Sequence, residues 1–379
     1  MKIGIFGGSF DPVHTEHVRM AAPAIECLGL DELFVVPAAA PPHKPYKKMT
    51  ADDVRLTALE IAFAKVPKAK ISRYELDEKG TSYTYLTIRR FKQLYPKAQL
   101  YFLVGTDMLR DFPTWRNPEE ILANATLAVC GRAEEDGWQE KEMAAFENRF
   151  HQSFVSISYA GKKISSTSIR VRLSAGLSAD GALDEEVEKY LQEIGVYEIA
   201  GAKKALSMLP PKRVAHSLRV AELAAARAPS LKIDERQAIT ASLFHDCAKY
   251  LDENSPLLSG FSIEESVPAP VLHQFTGAYV AKNSFGIEDE EVLDAIRYHT
   301  SGRAGMSTLE KLLYLADALE EGRAYEGVDQ LRSLFWDQDG LDKCLVAVLK
   351  STLAHLGKGE EKPYRLTEEA YRYYQQKME

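Results

Sequence analysis

The sequence predicts two domains of different class, an α/β domain built on a parallel sheet and then an all-helical domain. In the first half, short apolar runs alternate with amphipathic helical patterns near residues 15–28, 51–64, 82–94 and 118–122. The apolar runs have the length of strands and occupy residues 3–6, 33–37, 69–74, 100–104 and 127–130. Such alternation indicates a parallel sheet covered on both faces. Beyond residue 200 the periodicity is helical, for example at residues 212–226, 235–248, 289–299 and 308–321.

The change from alternating strand and helix patterns to helical patterns alone places the domain boundary near residues 200–204. We therefore predict a first domain over residues 1–200, closed by a helix at residues 185–194, and a second domain over residues 206–379. Pro210 and Pro211 mark a fresh helix start, because proline is tolerated at the first helical position and not inside a helix. A chain of 379 residues suits two domains.

Charge, cysteine distribution and hydrophobicity exclude several classes of function. The net charge of −8 argues against general binding of nucleic acids, which requires a basic face. The four cysteines are scattered without a CxxC pair, which is typical of reduced thiols. No signal peptide or membrane-spanning apolar stretch is evident, so we expect a cytoplasmic enzyme with no membrane partner. The oligomeric state, including a homo-oligomer, stays open.

The opening run of residues 2–17 contains the parts of a phosphate site. A predicted strand leads into Gly7, Gly8, Ser9 and Phe10, and a helix begins near His14 and His17. Glycines allow close approach of a ligand to the backbone, and a helix start offers unpaired N–H groups. The two histidines are three residues apart and can share a face of the helix.

Other candidates in the first half have structural alternatives. Lys44 could contact a polyphosphate or be a solvated lysine, and Gly105 and Asp107 follow a strand, where the carboxylate could accept from a ribose hydroxyl or cap a helix. Trp115 could stack on a pyridine ring or pack in the core.

A second anion site is predicted at residues 164–170. Ser165, Ser166 and Thr167 open a helix and place hydroxyl and N–H groups together. Arg170 follows, and a cation near a helix N-terminus is unfavourable unless it binds an anion. This pattern favours a phosphate over a purely structural role.

The opening run resembles the signature of the nucleotidyltransferase superfamily, with Glu16 where glycine is usual. The first 200 residues are similar to bacterial nicotinate-nucleotide adenylyltransferases, which implies a Rossmann-like domain that joins ATP and nicotinate mononucleotide with Mg²⁺ on the polyphosphate. The resemblance implies that His14, His17, Lys44 and Arg170 act on the phosphates, that Asp107 meets ribose, and that a nicotinate pocket is formed by Thr81, Tyr83 and Trp115. A pantetheine-phosphate adenylyltransferase is the alternative.

The second half contains a histidine–aspartate pattern. The adjacent pair His245 and Asp246 lies on an apolar stretch, where burial is costly unless the pair is satisfied or binds a metal. Four further residues extend the pattern: His216, His273, His299 and Asp317. Imidazole and carboxylate together suit divalent transition metals.

This pattern resembles the HD superfamily of metal-dependent phosphohydrolases, in particular the bacterial domain that hydrolyses diadenosine tetraphosphate to two ADP. The resemblance implies one or two divalent metals, with iron or manganese expected. It assigns His216, His245, Asp246 and Asp317 to one metal and His273 and His299, bridged by Asp246, to a second. Lys249 would contact a phosphate. The alternatives are another nucleotide substrate or a non-catalytic nucleotide sensor.

Overall fold

The computed structural model describes residues 1–41, 48–132, 138–357 and 363–378 and divides into two compact units. Within the described residues, the first unit consists of residues 1–41, 49–169 and 178–196, and the second of residues 48, 170–177 and 197–378. The chain thus enters the second unit at residue 170, returns to the first at residue 178 and leaves it after residue 196. The division into domains at residues 1–200 and 206–379 stays a prediction.

The first unit is built on a parallel six-stranded sheet, as predicted. Its strands are β1 (Lys2–Gly8), β2 (Glu32–Pro37), β3 (Ala69–Ile71), β4 (Gln99–Gly105), β5 (Thr126–Arg132) and β6 (Val155–Tyr159), in the order β3-β2-β1-β4-β5-β6. Phe6 in the central strand pairs with Val35 on one side and with Leu103 on the other. The carboxyl ends of all six strands therefore lie along one edge of the sheet.

Along the chain, the described helices that accompany the sheet lie between its strands and after the last strand. They are α1 (Thr15–Leu28), α2 (Asp52–Phe63), α3 (Tyr74–Glu78), α4 (Thr84–Leu94), α5 (Thr106–Asp111), α6 (Pro118–Asn124), α7 (Trp138–Phe150), α8 (Ser166–Ser174) and α9 (Glu185–Glu193). The predicted strand at residues 69–74 is too long, because it ends at Ile71 and α3 starts at Tyr74.

Several elements of the first unit were not predicted, among them α3, β6 and α7. β6 has the sequence VSISY, in which serines alternate with apolar residues, so a search for continuous apolar runs passes over it. α7 is rich in charged residues and its apolar face is narrow. That face is still buried, since Phe146 packs edge-on against Phe154 next to β6.

The second unit is helical in its described part, as predicted. Its helices are the end of α8 with α10 (Ala202–Ser207), α11 (Pro211–Arg227), α12 (Glu235–Phe244), α13 (Ala269–Phe285), α14 (Glu290–Tyr298), α15 (Thr308–Leu319), α16 (Val328–Trp336), α17 (Leu341–Leu356) and α18 (Arg365–Met378). Pro211 is the first residue of α11, where its missing N–H costs nothing.

Small residues bring α11 and α12 close together. Ala221 and Ala224 on α11 are buried, as are Ala238 and Ala241 on α12. His216 lies two turns before Ala224 on the same buried stripe, because positions four residues apart share a face. The packing therefore carries a histidine into the interior.

Among the described residues, none of the helices has the length and apolar character needed to cross a membrane.

A buried arginine fastens the loops at the carboxyl edge of the sheet. Arg55 on α2 is 1 % exposed, and Nη1 donates to the carbonyls of Ser9, after β1, at 2.9 Å and Ala38, after β2, at 2.8 Å. Nε donates to the carbonyl of Thr50 at 3.0 Å, and Nη2 donates to the Asp52 carboxylate at 2.6 Å. One side chain therefore fixes the ends of two neighbouring strands. In the sequence it looks like an ordinary solvated charge on a helix.

Replacing Arg55 with methionine should destabilise the first unit by about 3–5 kcal/mol, because buried carbonyls lose their donors and Asp52 loses its partner. Hydrogen exchange of amides in β1 and β2 would measure the loss. The matched control is Arg89→Met, which removes a half-exposed pair with Glu120 and should cost less than about 1 kcal/mol. Equal costs for the two substitutions would contradict this account.

Candidate active sites

The first candidate site begins where β1 ends, at the carboxyl edge of the sheet. Gly7 and Gly8 are the last residues of β1, and the chain then turns through Phe10, whose φ is 44°. A β-carbon on Gly8 would lie 3.0 Å from the buried Phe10 ring. Glycine here lets the aromatic ring close the turn, and the ring packs in turn against His17 at 4.9 Å between centroids.

His14 and His17 stack at the start of α1, as their spacing predicts. His14 immediately precedes the helix and His17 is its third residue, with ring centroids 3.6 Å apart and planes 21° from parallel. The backbone N–H of His14 donates to Nδ1 of His17 at 3.1 Å. Because Nδ1 accepts this bond, the proton of a neutral His17 ring is on Nε2, from which it can be donated to a ligand.

Burial keeps both rings neutral near pH 7. It lowers the pKa of His14 to about 4, and burial together with the neighbouring His14 ring holds the pKa of His17 well below its ordinary value. Nδ1 of His14 is buried and has no hydrogen-bond partner within the described part of the chain. An unsatisfied buried nitrogen is costly, so we interpret it as part of a ligand site.

Gly105 and Asp107 follow β4, the neighbour of β1, on the same edge. Gly105 is the residue that caps α5, and the exposed Asp107 is the second residue of that helix. A β-carbon on Gly105 would lie 2.7 Å from Oδ1 of Asp107, so the glycine leaves room for the carboxylate. The alternative that Asp107 itself is the cap is wrong.

Trp115 is half-buried beside β4. Its ring packs edge-on against Phe102 on β4 at 6.0 Å and is tilted against Phe112 at 5.3 Å. Core packing therefore accounts for the buried part of the indole. The predicted stacking on a pyridine ring stays a prediction for the part that remains accessible.

Thr81 and Tyr83 are held against the loop that follows β2. Between them, the Ser82 hydroxyl accepts from the N–H of Ala39 at 2.9 Å, and the Ser82 N–H donates to the carbonyl of Ala40 at 2.9 Å. Tyr83 precedes the first residue of α4, with the Arg116 guanidinium 4.8 Å from its ring centroid. Both predicted pocket residues thus join the carboxyl edge of the sheet.

The serine-rich segment lies beside the glycine turn. The hydroxyl of Ser166, the first residue of α8, donates to the carbonyl of Pro12 at 3.2 Å. The Thr167 N–H donates to the Ser165 hydroxyl at 3.2 Å. The structure therefore brings Ser165, Ser166 and Thr167 next to the residues after β1. Lys44 lies outside the described residues.

Arg170 is paired with a carboxylate. The sequence predicted Arg170 in the first turn of the helix, but it is the fifth residue of α8. It is 6 % exposed. Nε and Nη2 donate to the two oxygens of Glu235 at 2.5 Å and 3.0 Å. The anion that the sequence pattern requires is thus a side chain of the same chain here, and a phosphate role for Arg170 stays a prediction.

The second candidate site lies inside the helical unit, where six predicted ligands from five places in the chain converge. His216 is on α11, His273 on α13 and Asp317 on α15, whereas His299 directly follows α14. The pair His245 and Asp246 was expected on a helix, but α12 ends at Phe244. The pair occupies the turn beyond it, which points both side chains into the interior.

The ligand atoms of these residues approach one another closely. Nε2 of His216 lies 2.9 Å from Oδ1 of Asp317, and Nε2 of His273 lies 3.2 Å from Oδ1 of Asp246. Two groups have ligand atoms within 4.8 Å of one another; they are His216, His245 and Asp317, and His245, Asp246 and His299. Both groups contain His245.

Backbone carbonyls orient two of the imidazoles. Nδ1–H of His245 donates to the carbonyl of Ser242 at 2.6 Å, and Nδ1–H of His299 donates to that of Ile296 at 2.8 Å. The Nε2 lone pairs therefore face the carboxylates. His216 Nε2, His245 Nε2 and Asp246 Oδ2 are buried, with Asp317 Oδ1 2.9 Å from the first, Asp246 Oδ2 3.4 Å from the second and Arg213 Nη1 3.0 Å from the third. Imidazole and carboxylate atoms that converge in a buried site fit a metal ion.

The charges of the site also suit a metal. Burial disfavours a charged Asp246, but His245, His273 and His299 outweigh it and hold the pKa of this carboxyl far below its ordinary value. The pKa of Asp317 is likewise lowered, because contacts with His216 and neighbouring charges outweigh burial. Both carboxylates are therefore ionised at neutral pH, as metal binding requires.

Glu320 orients His216 from behind and was missed by sequence reasoning. Its buried Oε1 accepts from Nδ1–H of His216 at 3.0 Å, while Oε2 accepts from Nε of Arg219 and from the N–H of Gly322 at 2.6 Å. Burial opposes the charge, but these bonds lower the pKa of Glu320 to about 2. The only sequence signal was a position one turn after Asp317.

Two cations flank the carboxylate of Asp246. Nζ of Lys249 lies 3.1 Å from Oδ1, and Nη1 of Arg213 lies 3.0 Å from Oδ2. Lys249 was predicted to reach a phosphate, and Arg213 was not predicted. Their side chains are 27 % and 23 % exposed, so each can contact solvent while it touches the site.

Comparisons with known proteins match different parts of the chain to two families. Residues 5–172 match the cytidylyltransferase-like family and residues 213–322 match the HD domain. A Mycoplasma genitalium protein named "probable nicotinate-nucleotide adenylyltransferase/Ap4A hydrolase" is 31 % identical over 86 % of this chain and 89 % of its own length. The chain belongs to this two-domain family.

Two shorter proteins are similar to parts of this chain. A Thermus thermophilus protein named "probable nicotinate-nucleotide adenylyltransferase" is 37 % identical over 52 % of this chain and its own full length. A Clostridium acetobutylicum structure described as a "predicted HD superfamily hydrolase involved in NAD metabolism" is 34 % identical, with a TM-score of 0.44, over 46 % of this chain and 95 % of its own.

We predict that the His14 and His17 rings stay neutral at pH 6. Nitrogen chemical shifts of ¹⁵N-labelled histidine would show it. Because their pKa values are lowered by folding, the unfolded chain binds protons first, and the first unit loses stability as the pH falls from 6.5 towards 4. Protonation of either ring above pH 6 in the free protein would contradict the assignment.

Replacing Glu320 with glutamine should weaken metal binding about 10- to 100-fold, because His216 loses the carboxylate that fixes its tautomer. A competition titration against a fluorescent chelator would measure the affinity for Mn²⁺. The adjacent and exposed Glu321, changed in the same way, is the control and should bind as the wild type does. Equal affinities in the two variants would remove Glu320 from the site.

Proposed function

We propose that the first domain, residues 1–200, transfers the adenylyl group of ATP to nicotinate mononucleotide, giving deamido-NAD and pyrophosphate. The observation that carries the proposal is the stacked His14–His17 pair at a helix start beside the glycine turn. The partial positive charge at the start of a helix favours phosphate. The names of the relatives support the nicotinate substrate.

The reaction needs no covalent enzyme intermediate. The phosphate oxygen of the mononucleotide attacks the α-phosphorus of ATP, a new P–O–P bond forms, and the bond to the β-phosphate breaks to release pyrophosphate. His17 donates its Nε2–H to phosphate oxygens on which charge develops, and the start of α1 adds its dipole. Positioning supplies much of the remaining rate. Mg²⁺ would accompany ATP, held by substrate and water.

The acceptor pocket is assigned to Thr81, Tyr83 and Trp115. Tyr83 and Trp115 offer aromatic surface at the carboxyl edge, where a pyridine ring can stack. The exposed carboxylate of Asp107 sits on the same edge and can accept from a ribose hydroxyl. These groups suit a planar acceptor better than the flexible chain of pantetheine phosphate.

We further propose that the second domain, residues 206–379, hydrolyses diadenosine tetraphosphate symmetrically to two ADP. The observation that carries this proposal is the convergence of ligand atoms within 4.8 Å of one another in two groups; they are His216, His245 and Asp317, and His245, Asp246 and His299. The relative named as an Ap4A hydrolase supports the substrate. The ligand set suits iron or manganese, in one or two positions.

The chain's own groups prepare this site for a polyphosphate. Imidazole Nε2 atoms and the ionised Asp246 and Asp317 would hold divalent metal, which when bound supplies Lewis-acid activation of water and neutralises phosphoryl charge. Lys249 and Arg213 lie beside Asp246 and are partly exposed, so both would be in a position to donate to substrate phosphates. The buried surroundings keep bulk water away from the cluster.

Two variants test the proposals separately. His17→Ala should lower kcat of deamido-NAD formation at least about 100-fold, since it removes a donor to the developing charge. It should leave release of ADP from diadenosine tetraphosphate unchanged. Asp246→Asn should do the reverse, because it removes the central ligand of the metal site. Ion-exchange chromatography of the products measures both reactions.

The outcomes separate the alternatives. A wild-type protein that adenylylates pantetheine phosphate and not nicotinate mononucleotide would replace the first proposal. Failure of the metal-loaded wild type to hydrolyse the tetraphosphate, with the first activity intact, would show a nucleotide sensor or a hydrolase of another nucleotide.

A further inference from the structure

The resemblance to nucleotidyltransferases leaves one residue without a role, because Glu16 stands where glycine is usual. Glu16 is the second residue of α1, between His14 and His17, and it is 3 % exposed. A carboxylate at the start of a helix is favoured by the helix dipole. Burial of a charge is nevertheless costly unless its oxygens are bonded.

Both oxygens of Glu16 are bonded. Oε2 accepts from the backbone N–H of Lys162 at 2.8 Å, and Oε1 accepts from Nη1 of Arg19 at 2.9 Å. The side chain of Arg19 is 49 % exposed, so this ion pair contributes little to stability. The bond to Lys162 has a donor fixed in the backbone, and its charged acceptor roughly doubles the strength of a hydrogen bond.

The bond to Lys162 ties α1 to the segment that leads from β6 into α8. A β-carbon on Gly161 would lie 2.3 Å from Oε2 of Glu16 and 2.2 Å from the Tyr159 ring, so glycine permits the close approach. Three residues after Lys162 comes Ser165, which starts the hydroxyl cluster. A second bond, from Ser166 to the carbonyl of Pro12, links the same two regions.

The other side of the same helical turn is also anchored. The N–H and hydroxyl of Thr15 both donate to the carbonyl of Ala182, at 2.9 Å and 3.1 Å. Thr15 and Glu16 therefore hold the first turn of α1 from two directions. The histidines on either side of these residues have little freedom to move relative to the serine cluster.

We infer that Glu16 is a positioning residue that sets the spacing between the two halves of the triphosphate site, His14 and His17 on one side and Ser165 to Thr167 on the other. The inference rests on the proposed adenylyltransferase activity. Glu16 acts through the Lys162 backbone and does not touch the reacting atoms. A misplacement of about 1 Å can cost roughly 100-fold in rate, so such a bond can matter for catalysis.

The test compares Glu16→Ala, Glu16→Gln and Arg19→Met in the full chain, with steady-state kinetics for each substrate. We expect Glu16→Ala to raise KM for ATP about tenfold while KM for nicotinate mononucleotide changes less than about twofold. Glutamine keeps an acceptor for Lys162 and should restore part of the affinity. Arg19→Met leaves that bond in place and should behave as the wild type.

The thermal midpoint and the titrated fraction of active enzyme accompany each measurement. A purely structural role would lower these two quantities and leave KM for ATP unchanged in the active fraction, which would overturn the inference. So would Glu16→Ala kinetics equal to those of the wild type. An inactive wild type would instead contradict the proposed adenylyltransferase function. Failure of the Glu16 inference and failure of the proposed function are therefore distinguishable.

Discussion

The buried carboxylate of Asp246 is the interaction on which the second unit depends. His273 and His299 reach it from separate helices, and His245 precedes it in the same turn. Arg213 and Lys249 balance its charge from the solvent side. In a low-dielectric interior an ion of this kind is tolerated only when its surroundings compensate it. The packing of α11 to α15 therefore also sets the positions of the predicted metal ligands.

The same constraint explains the residues behind the cluster. An imidazole is a good ligand only when its other nitrogen is fixed, and carbonyls at the ends of α12 and α14 do this for His245 and His299. His216 lies in the middle of α11, where carbonyls are engaged in the helix, so a side chain must take that role. Glu320 supplies it. Helix geometry thus decides which ligands need a carboxylate partner.

In the first unit the constraint is different: loops that come from distant parts of the chain must be held in alignment. A parallel sheet brings strand ends to one edge, but it leaves the loops free. Arg55 fixes the loops after β1 and β2 to each other. Glu16 fixes α1 to the segment before α8. Both side chains are charged, buried and bonded to backbone groups; the motif marked Glu16 as unusual but did not reveal its partner, and Arg55 carried no signal at all.

This contrast shows what sequence could predict. The parallel sheet, the helical second half and the family follow from periodicity and motifs, because periodicity reports burial directly. The pair His245 and Asp246 was noticed because histidine and aspartate are rare in apolar stretches, and the resemblance to the HD superfamily assigned the other predicted ligands. β6 was missed because serines interrupt its apolar pattern. Arg55, Glu16, Arg213 and Glu320 were missed as supporting groups because their importance lies in long-range bonds that no local pattern encodes. Glu235, the partner of Arg170, was missed for the same reason, since it lies 65 residues away in the chain.

The most direct test of the central claim is a crystal structure of the manganese-loaded protein with anomalous scattering data. The account predicts strong anomalous density among the Nε2 atoms of His216 and His245 and the carboxylates of Asp246 and Asp317. In Asp246→Asn the same density should be weak or absent. Density at another place, or equal density in both proteins, would contradict the claim that this buried cluster is a metal site built around Asp246.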